Sequence, residues 1–457
     1  MEIGLDQYGV EFTDFWMASL DTYHKKYPER LERPAHIPNR VYLDRYIDAP
    51  NGSTLYWDIP SVVLMYNLSK FTDNESYKNN AHNYVKSFME NCIAPNGVFL
   101  WGNHYYYNAF VDSTVKFGSE PIPINIPTEM GNMHEIRPFV PAWDVFWEID
   151  AKITENEIRQ AIQNHLSDKN TGQFNRHAEP GKHAFLEAGG VLVYSLAWLY
   201  DKTKDISLLE TADKIINYSF SNRNKRTGLI PNSPTSGRWD SFTSTTEVGL
   251  WSGCIVNASK WATKEYAEKW INIAEFAVSS WLNFGWDQNV NKYYGMLNIS
   301  DGSWIQREND YPYMPDNHSN LWHPLFPRHD YPMSFAETCL SLYILTKKEI
   351  FKESCIRWKS IIKSELPARM GMGAYAEHYG RVIWFLLSCA EELEDISFRY
   401  LAEEVAEESI NVLFAHDMFR GHPGENRYDA VDGVGILSLA LLWLDSNQKP
   451  DLMGLYF

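Results

Sequence analysis

The sequence predicts an all-α fold: an (α/α) toroid of about six to seven helical hairpins, with long loops and short strands on one face. Three observations carry this. Helical patterns come in pairs, the turn inside each pair is short, and the linker between pairs is long. Short connections make consecutive helices antiparallel neighbours. If the first helix of each pair is inner, all the long linkers gather on one face, and loops of that length commonly carry function.

The elements follow in order. The pairs run 56–70 with 77–92, 137–149 with 155–166, 184–200 with 206–219, 246–261 with 264–282, 334–346 with 349–364, and 376–390 with 396–414. A last helix, 429–444, has no partner after it, and a helix over 12–26 is expected to close the ring. Asn96-Gly97 reads as a turn, and Val98 to Trp101 as a short extended segment. The Pro/Gly-rich stretches 228–237 and 311–332 fall between hairpins, so residues 1–457 are expected to form one catalytic domain.

Composition narrows the class. Hydrophobic residues make up 44% of the chain, enough for a large core. No run approaches the roughly 20 apolar residues that cross a bilayer, so no membrane partner is expected. A formal net charge of −18 argues against nucleic acid, whose phosphates select a basic face. It leaves room for an anionic substrate held by a local Arg/His cluster. Met1-Glu2-Ile3-Gly4 shows neither the basic nor the apolar part of a leader, so a cytoplasmic location is expected unless a leader was removed. Cys92, Cys254, Cys339, Cys355 and Cys389 are scattered and odd in number, which fits buried thiols better than a disulfide framework. Aromatic residues reach 15%, with 17 Trp, and many fall in the long loops. Sugar rings stack their C–H faces on such side chains, so the loop face reads as a carbohydrate cleft.

Each expected inner helix opens with polar residues and then turns apolar and small. His134-Glu135-Ile136-Arg137 precedes Pro138, and Asn175-Arg176-His177 with His183 precedes Glu187-Ala188-Gly189-Gly190. Thr245-Thr246-Glu247 runs into Gly249, Arg328-His329-Asp330 leads to Glu337, and Glu377-His378-Tyr379-Gly380-Arg381 opens a later helix. Asp429 and Asp432-Gly433 open the last. Acids in a first turn ordinarily cap free N–H groups. Capping suffices for Thr245, Thr246 and Asp429 and extends to Glu135. It suits Glu187, Glu337 and Glu377 less, because they stand beside His, Arg and Tyr.

The densest stretch runs from Asn96 to Tyr107. Trp101 would line the substrate, Asn103 would bond to it, His104 would act as acid or base, and Tyr105 or a neighbour would protonate a leaving oxygen. The alternative is an aromatic cluster packed across the ring, with His104 satisfied by a backbone carbonyl. No metal or cofactor is expected. There is no His-Glu-x-x-His, Cys-x-x-Cys or calcium-loop spacing, and His318, His323 and His329 look like cleft lining.

The ring of hairpins, the segment Gly97-Val98-Phe99-Leu100-Trp101-Gly102-Asn103-His104, and Asn291-Lys292-Tyr293-Tyr294-Gly295 before Asp301-Gly302 resemble the six-hairpin glycosidase superfamily and its lyase relatives. The resemblance covers most of the chain as architecture and short stretches as motif. For a hydrolase it implies acid and base carboxylates on the cleft face, with Glu135, Glu187, Glu247, Glu337 and Glu377 eligible. For a lyase acting on uronates it implies an Asn, a His, a Tyr and an Arg. Asn103, His104, a nearby Tyr, and Arg137 or Arg176 would supply those parts.

The leading expectation is a glycoside hydrolase acting on a uronic-acid-containing oligo- or polysaccharide. Glu135 and Glu247 are the general acid/base candidates, and His104 is the alternative. Trp101, Asn103, Tyr105, Arg176, His177, Glu187, His329, Glu377 and Arg381 would bind substrate, the arginines matching its carboxylate. The alternative is a polysaccharide lyase that cleaves such a glycan by β-elimination with His and Tyr. A ring that binds or epimerises sugars ranks third, and a non-catalytic scaffold last. The expected partner is an anionic carbohydrate, and a homo-oligomer is compatible with every reading.

Overall fold

The structure, a computed structural model, describes residues 4–28, 49–101, 105–116, 122–123, 134–178, 184–234, 242–306, 316–322 and 333–457. The hairpins are α1 (Leu55–Thr72) with α2 (Glu75–Asn91), α3 (Trp143–Ile149) with α4 (Ala151–His165), and α5 (Leu186–Thr203) with α6 (Ile206–Ser221). They continue with α7 (Thr245–Ala258) and α8 (Lys264–Leu282), α9 (Met333–Thr346) and α10 (Glu349–Ser364), and α11 (Ala376–Glu392) and α12 (Ile396–Leu413). A lone α13 (Val434–Ser446) packs between α11 and α1 and closes the ring. The odd-numbered helices are therefore inner, and the even-numbered ones form the outer layer.

The contacts show that the inner helices run the same way. Near the start of α7, a Cβ on Gly249 would meet Phe335 N of α9 at 2.4 Å, so only glycine allows that approach. Gly435 of α13 stands equally close to Ser61 N of α1, at 2.4 Å. Ser334 Oγ of α9 donates to Thr246 O of α7 at 3.3 Å. Residues near one N-terminus thus touch residues near the next, and all these N-termini share one end of the ring.

Inner and outer helices differ for a physical reason. Every residue of α5 from Leu186 to Leu199 is buried, as a helix surrounded on all sides requires. Outer α6 buries Leu208, Leu209, Ala212, Ile215, Ile216 and Ser219, a single stripe at three- and four-residue spacing. The starts differ too. Asn74, Asp150, Asp205 and Asp395 cap the outer helices α2, α4, α6 and α12 through their side chains. Inner α1, α5, α7 and α11 have no side-chain cap, and neither have outer α8 and α10.

Three expectations are corrected. The segment 12–26 is not a helix: Ser19–Asp21 is a strand paired antiparallel with Arg427–Asp429, and α1 meets α13 directly. Helix α3 starts at Trp143 rather than at Arg137, because Pro138 and Pro141 keep the preceding residues extended. Helix α13 starts at Val434, after a 3-10 turn over Ala430–Asp432, and Asp429 belongs to the strand. The last residues return into the ring. Tyr456 pairs with Val140 and stacks on Tyr194 at 5.6 Å, while Phe457 packs on Trp384. The five cysteines are free and buried, as expected. Trp198, Trp251, Trp270, Trp281, Trp322, Trp358 and Trp443 are fully buried, so core packing accounts for these aromatics.

Candidate active site

At the shared end of the ring a chain of charged residues runs from residue 135 to α7. Glu135 accepts from Arg137 Nη1 at 3.0 Å through one oxygen and meets Arg176 Nε at 2.9 Å through the other. Arg176 Nη1 reaches Glu187 Oε1 at 3.3 Å, and the Glu187 backbone N–H donates to Glu247 Oε2 at 3.1 Å. His177 Nδ1 lies 3.6 Å from Glu135 Oε1, and its side chain, 26% exposed, is more open than those of Glu135, Arg137, Arg176 and Glu187. Backbone pairing builds the meeting point: Ile136 N donates to Arg176 O at 3.0 Å. Rings then hold the guanidiniums, with Arg137 over Trp57 at 5.0 Å and Arg176 over Phe185 at 5.5 Å.

The charges decide the protonation. Burial alone would lower Arg176, but Glu135 and Glu187 outweigh it and hold the guanidinium charged. Burial pushes the Glu247 carboxyl well above the usual range, and the Glu187 charge and side-chain hydrogen bond push it further. Further round the ring, Arg381 Nη2 donates to Glu337 Oε2 at 2.6 Å, and the Phe457 ring lies 5.2 Å from that guanidinium. Burial raises Glu337, Arg381 opposes the rise, and Glu377 adds to it. Before α13, Arg427 Nη2 pairs with Glu425 Oε2 at 2.7 Å, and burial still pushes Glu425 up to about 7.

Sequence-chosen residues separate into three sets. Glu135, Arg176, His177, Glu187 and Glu247 come together in one linked cluster, and Arg381 and Glu377 meet around Glu337 at the same end. Trp101 and Tyr105 are buried. The Trp101 ring packs among Tyr56, Phe88, Phe99 and Trp143, and its Nε1 donates to His134 at 3.0 Å, so it offers no open face to a sugar. Asn103, His104 and His329 lie outside the described residues. Capping does not explain Glu135, which is off any helix, or Asp429, which accepts from Ser19 Oγ at 2.7 Å.

Several polar residues went unnoticed in the sequence. Glu425 and Arg427 lie in a loop and strand before α13. Glu157 and His165 stand on the buried stripe of α4, beside Thr154, Ile158 and Ala161. Two ionisable residues at apolar-stripe spacing were the available signal. Among the described residues no group of three His, Cys, Asp or Glu side chains is arranged to hold a metal ion, and no helix is long and apolar enough to cross a membrane.

A family model described as "Periplasmic pectate lyase" matches residues 62–187, the stretch that contains Glu135, Arg137, Arg176, His177 and Glu187. Among solved structures, an inactive variant of the α-1,6-mannanase GH76A of Salegentibacter sp. HEL1_6 is 13% identical over 84% of this chain and 99% of that one, with a TM-score of 0.47. An unsaturated glucuronyl hydrolase specific for heparin is 15% identical over 68% of this chain and 85% of that one, with a TM-score of 0.45. Cellobiose 2-epimerase from Bacillus thermoamylovorans B4167 is 8% identical over 85% and 88%, with a TM-score of 0.44. The element order and the helix contacts of the chain make an (α/α) toroid of helical hairpins.

Proposed function

We propose that the chain cleaves a uronate-containing glycan of the pectate type by β-elimination at the Glu135–Arg176–His177 centre. One observation supports this reading most. Arg137 and Arg176 grip Glu135 from two sides, inside the stretch that matches the pectate lyase model. Elimination starts with loss of the C5 proton beside the uronate carboxylate, and the charge left behind spreads into that carboxylate. Guanidiniums held away from water stabilise such charge well. Arg176 and Arg137 face the substrate carboxylate in this reading, and His177, oriented by Glu135, takes the C5 proton. The C5–H electron pair becomes the C4=C5 double bond, the C4–O bond breaks, and the leaving oxygen takes up a proton. His104 is the second candidate for acid or base.

Hydrolysis has one observation in its favour, the Glu247 carboxyl that burial pushes well above its ordinary value, the direction a general acid needs. Two others weigh against it. Glycosidase carboxyls stand roughly 5 Å or more apart, with the sugar between them, whereas Glu247 Oε2 accepts from the backbone N–H of Glu187 at 3.1 Å. Glu135 has both oxygens on guanidiniums and serves as their anchor, not as a proton donor. The cytoplasmic expectation gains no support, since the matched description carries the word periplasmic.

The test is incubation with a panel of uronate glycans and a neutral mannan, read by ultraviolet absorbance and mass spectrometry. Elimination yields absorbing products with no added water, from uronate glycans only. Cleavage of the neutral mannan would overturn the reading.

A further inference from the structure

Behind the charge cluster lies a second network, fully buried, that the proposed chemistry does not use. Glu157, His134 and His165 are 1%, 3% and 0% exposed. His165 Nδ1 lies 2.8 Å from Asn175 O, His165 Nε2 lies 2.7 Å from His134 Nδ1, and His134 Nε2 lies 2.7 Å from Glu157 Oε1. Phe99 N donates to the other Glu157 oxygen at 2.6 Å, and Trp101 Nε1 donates to His134 Nε2 at 3.0 Å.

The directions of the two His165 bonds are forced. A carbonyl only accepts, so His165 Nδ1 carries its proton toward Asn175. Burial, then the neighbouring His134, push the His165 pKa well below the usual histidine value, so its ring is neutral and Nε2 accepts. His134 Nδ1 must then be the donor. Between His134 Nε2 and Glu157 Oε1 a proton must also lie, since two bare acceptors would repel at that distance. The chain joins three pieces of backbone: the extended segment at Phe99, the segment at His134, and the end of α4 with Asn175.

The network's neighbours in sequence are the site. Glu135 follows His134, and Arg176 follows Asn175. A cavity of about 30 Å³, room for a water, has His134, Glu157, Glu135, Arg137 and Tyr56 among its lining residues. Among the described residues, His177 and Glu135 act on the His165 charge, and Arg137 and Arg176 pair with Glu135.

We infer that His134, His165 and Glu157 are positioning residues, whose hydrogen-bonded chain sets the approach of Glu135 to Arg176 from behind. This rests on the reading of the Glu135–Arg176 cluster as the reacting centre. The chain acts on geometry and on the charge held behind the cluster, and does not touch substrate. Misplacement of reacting groups by about 1 Å costs on the order of 10²-fold in rate, so the effect belongs in kcat more than in KM.

The test compares His165→Phe, which removes both bonds, with His165→Gln, which keeps one donor and one acceptor. Glu157→Gln keeps the bonds and fixes the shared proton as an amide. His165→Phe is expected to lose about 10- to 100-fold in kcat with KM nearly unchanged, and His165→Gln to recover most of it. Glu157→Gln is expected to shift the acid limb of the kcat–pH profile while KM stays put. An imidazole N–H resonance in slow exchange with water is expected in the wild-type protein and in His165→Gln, and not in His165→Phe. A folded His165→Phe with wild-type kcat and pH profile overturns the inference, as does a His165→Gln that is equally impaired. If His165→Phe fails to fold, Glu157→Gln decides: a profile that superimposes on wild type overturns the inference. Arg176→Lys runs alongside, and full activity in that variant would fault the reading of the site itself, leaving the resonance to judge the chain.

Discussion

Glu247 on α7 and Glu337 on α9 sit near the starts of adjacent inner helices, and both are pushed up by burial. What they meet is opposite. Glu247 meets Glu187, a second acid, whose charge adds to the rise that burial causes. Glu337 meets Arg381 at 2.6 Å, and the guanidinium opposes the rise that burial causes. The difference teaches that burial alone does not assign a role in this ring. A neighbour one helix away decides whether a carboxyl stores a proton or anchors a cation. Glu135 is the limiting case, with two guanidiniums on one carboxylate.

The largest effect is expected where a cation serves two acids. Arg176→Ala leaves Glu135 and Glu187 without their shared partner, and should cost about 3–5 kcal/mol in denaturant unfolding along with all measurable activity. Arg381→Met tests the simple pair. It should cost about 3 kcal/mol, and adding Glu337→Leu should recover most of that, since replacing a buried pair by apolar groups is often neutral. If the double variant stays as unstable as the single one, the Glu337–Arg381 contact does more than balance charge.

Glu247→Gln has the opposite sign. The folded carboxyl binds its proton above the ordinary value of 4.5, so the native state holds a proton that the unfolded chain has lost. Wild-type stability therefore falls as pH rises above that value and levels off above the folded pKa. The amide removes that slope, so its stability relative to wild type should rise as pH rises above 4.5. Elimination should survive this change within a few-fold, whereas a hydrolase that used Glu247 as its acid would lose about 10²–10⁴-fold. The smallest effect calibrates the rest. Asp150 caps outer helix α4, and Asp150→Ala should cost about 1 kcal/mol with no change in activity.

The ring was legible in the sequence because linker length and apolar spacing are local signals. Phe185 to Glu187 could be placed at an inner-helix start for that reason. The N-terminal segment was misread because its helix-like pattern yields to pairing with Arg427–Asp429, a partner far away in the chain. Arg137 was put at a helix start because Pro138 after it suits a first turn, when Pro138 and Pro141 hold it in an extended segment against Arg176. The candidate acids and bases were visible one by one, but their pairing was not. That Glu187 would meet Glu247, while Glu337 would meet Arg381, depends on which inner helices are neighbours and at what depth. The His134–His165–Glu157 chain was hidden for the same reason, with only the polar residues on the α4 stripe to hint at it.

The most direct measurement is product analysis on polygalacturonate with wild-type protein, Arg176→Lys and Glu247→Gln. The account predicts absorbing products with no gain of water from wild type and Glu247→Gln, and loss of cleavage in Arg176→Lys, whose side chain keeps the charge but not the fork. Non-absorbing fragments carrying an added water, abolished by Glu247→Gln and retained by Arg176→Lys, would contradict it.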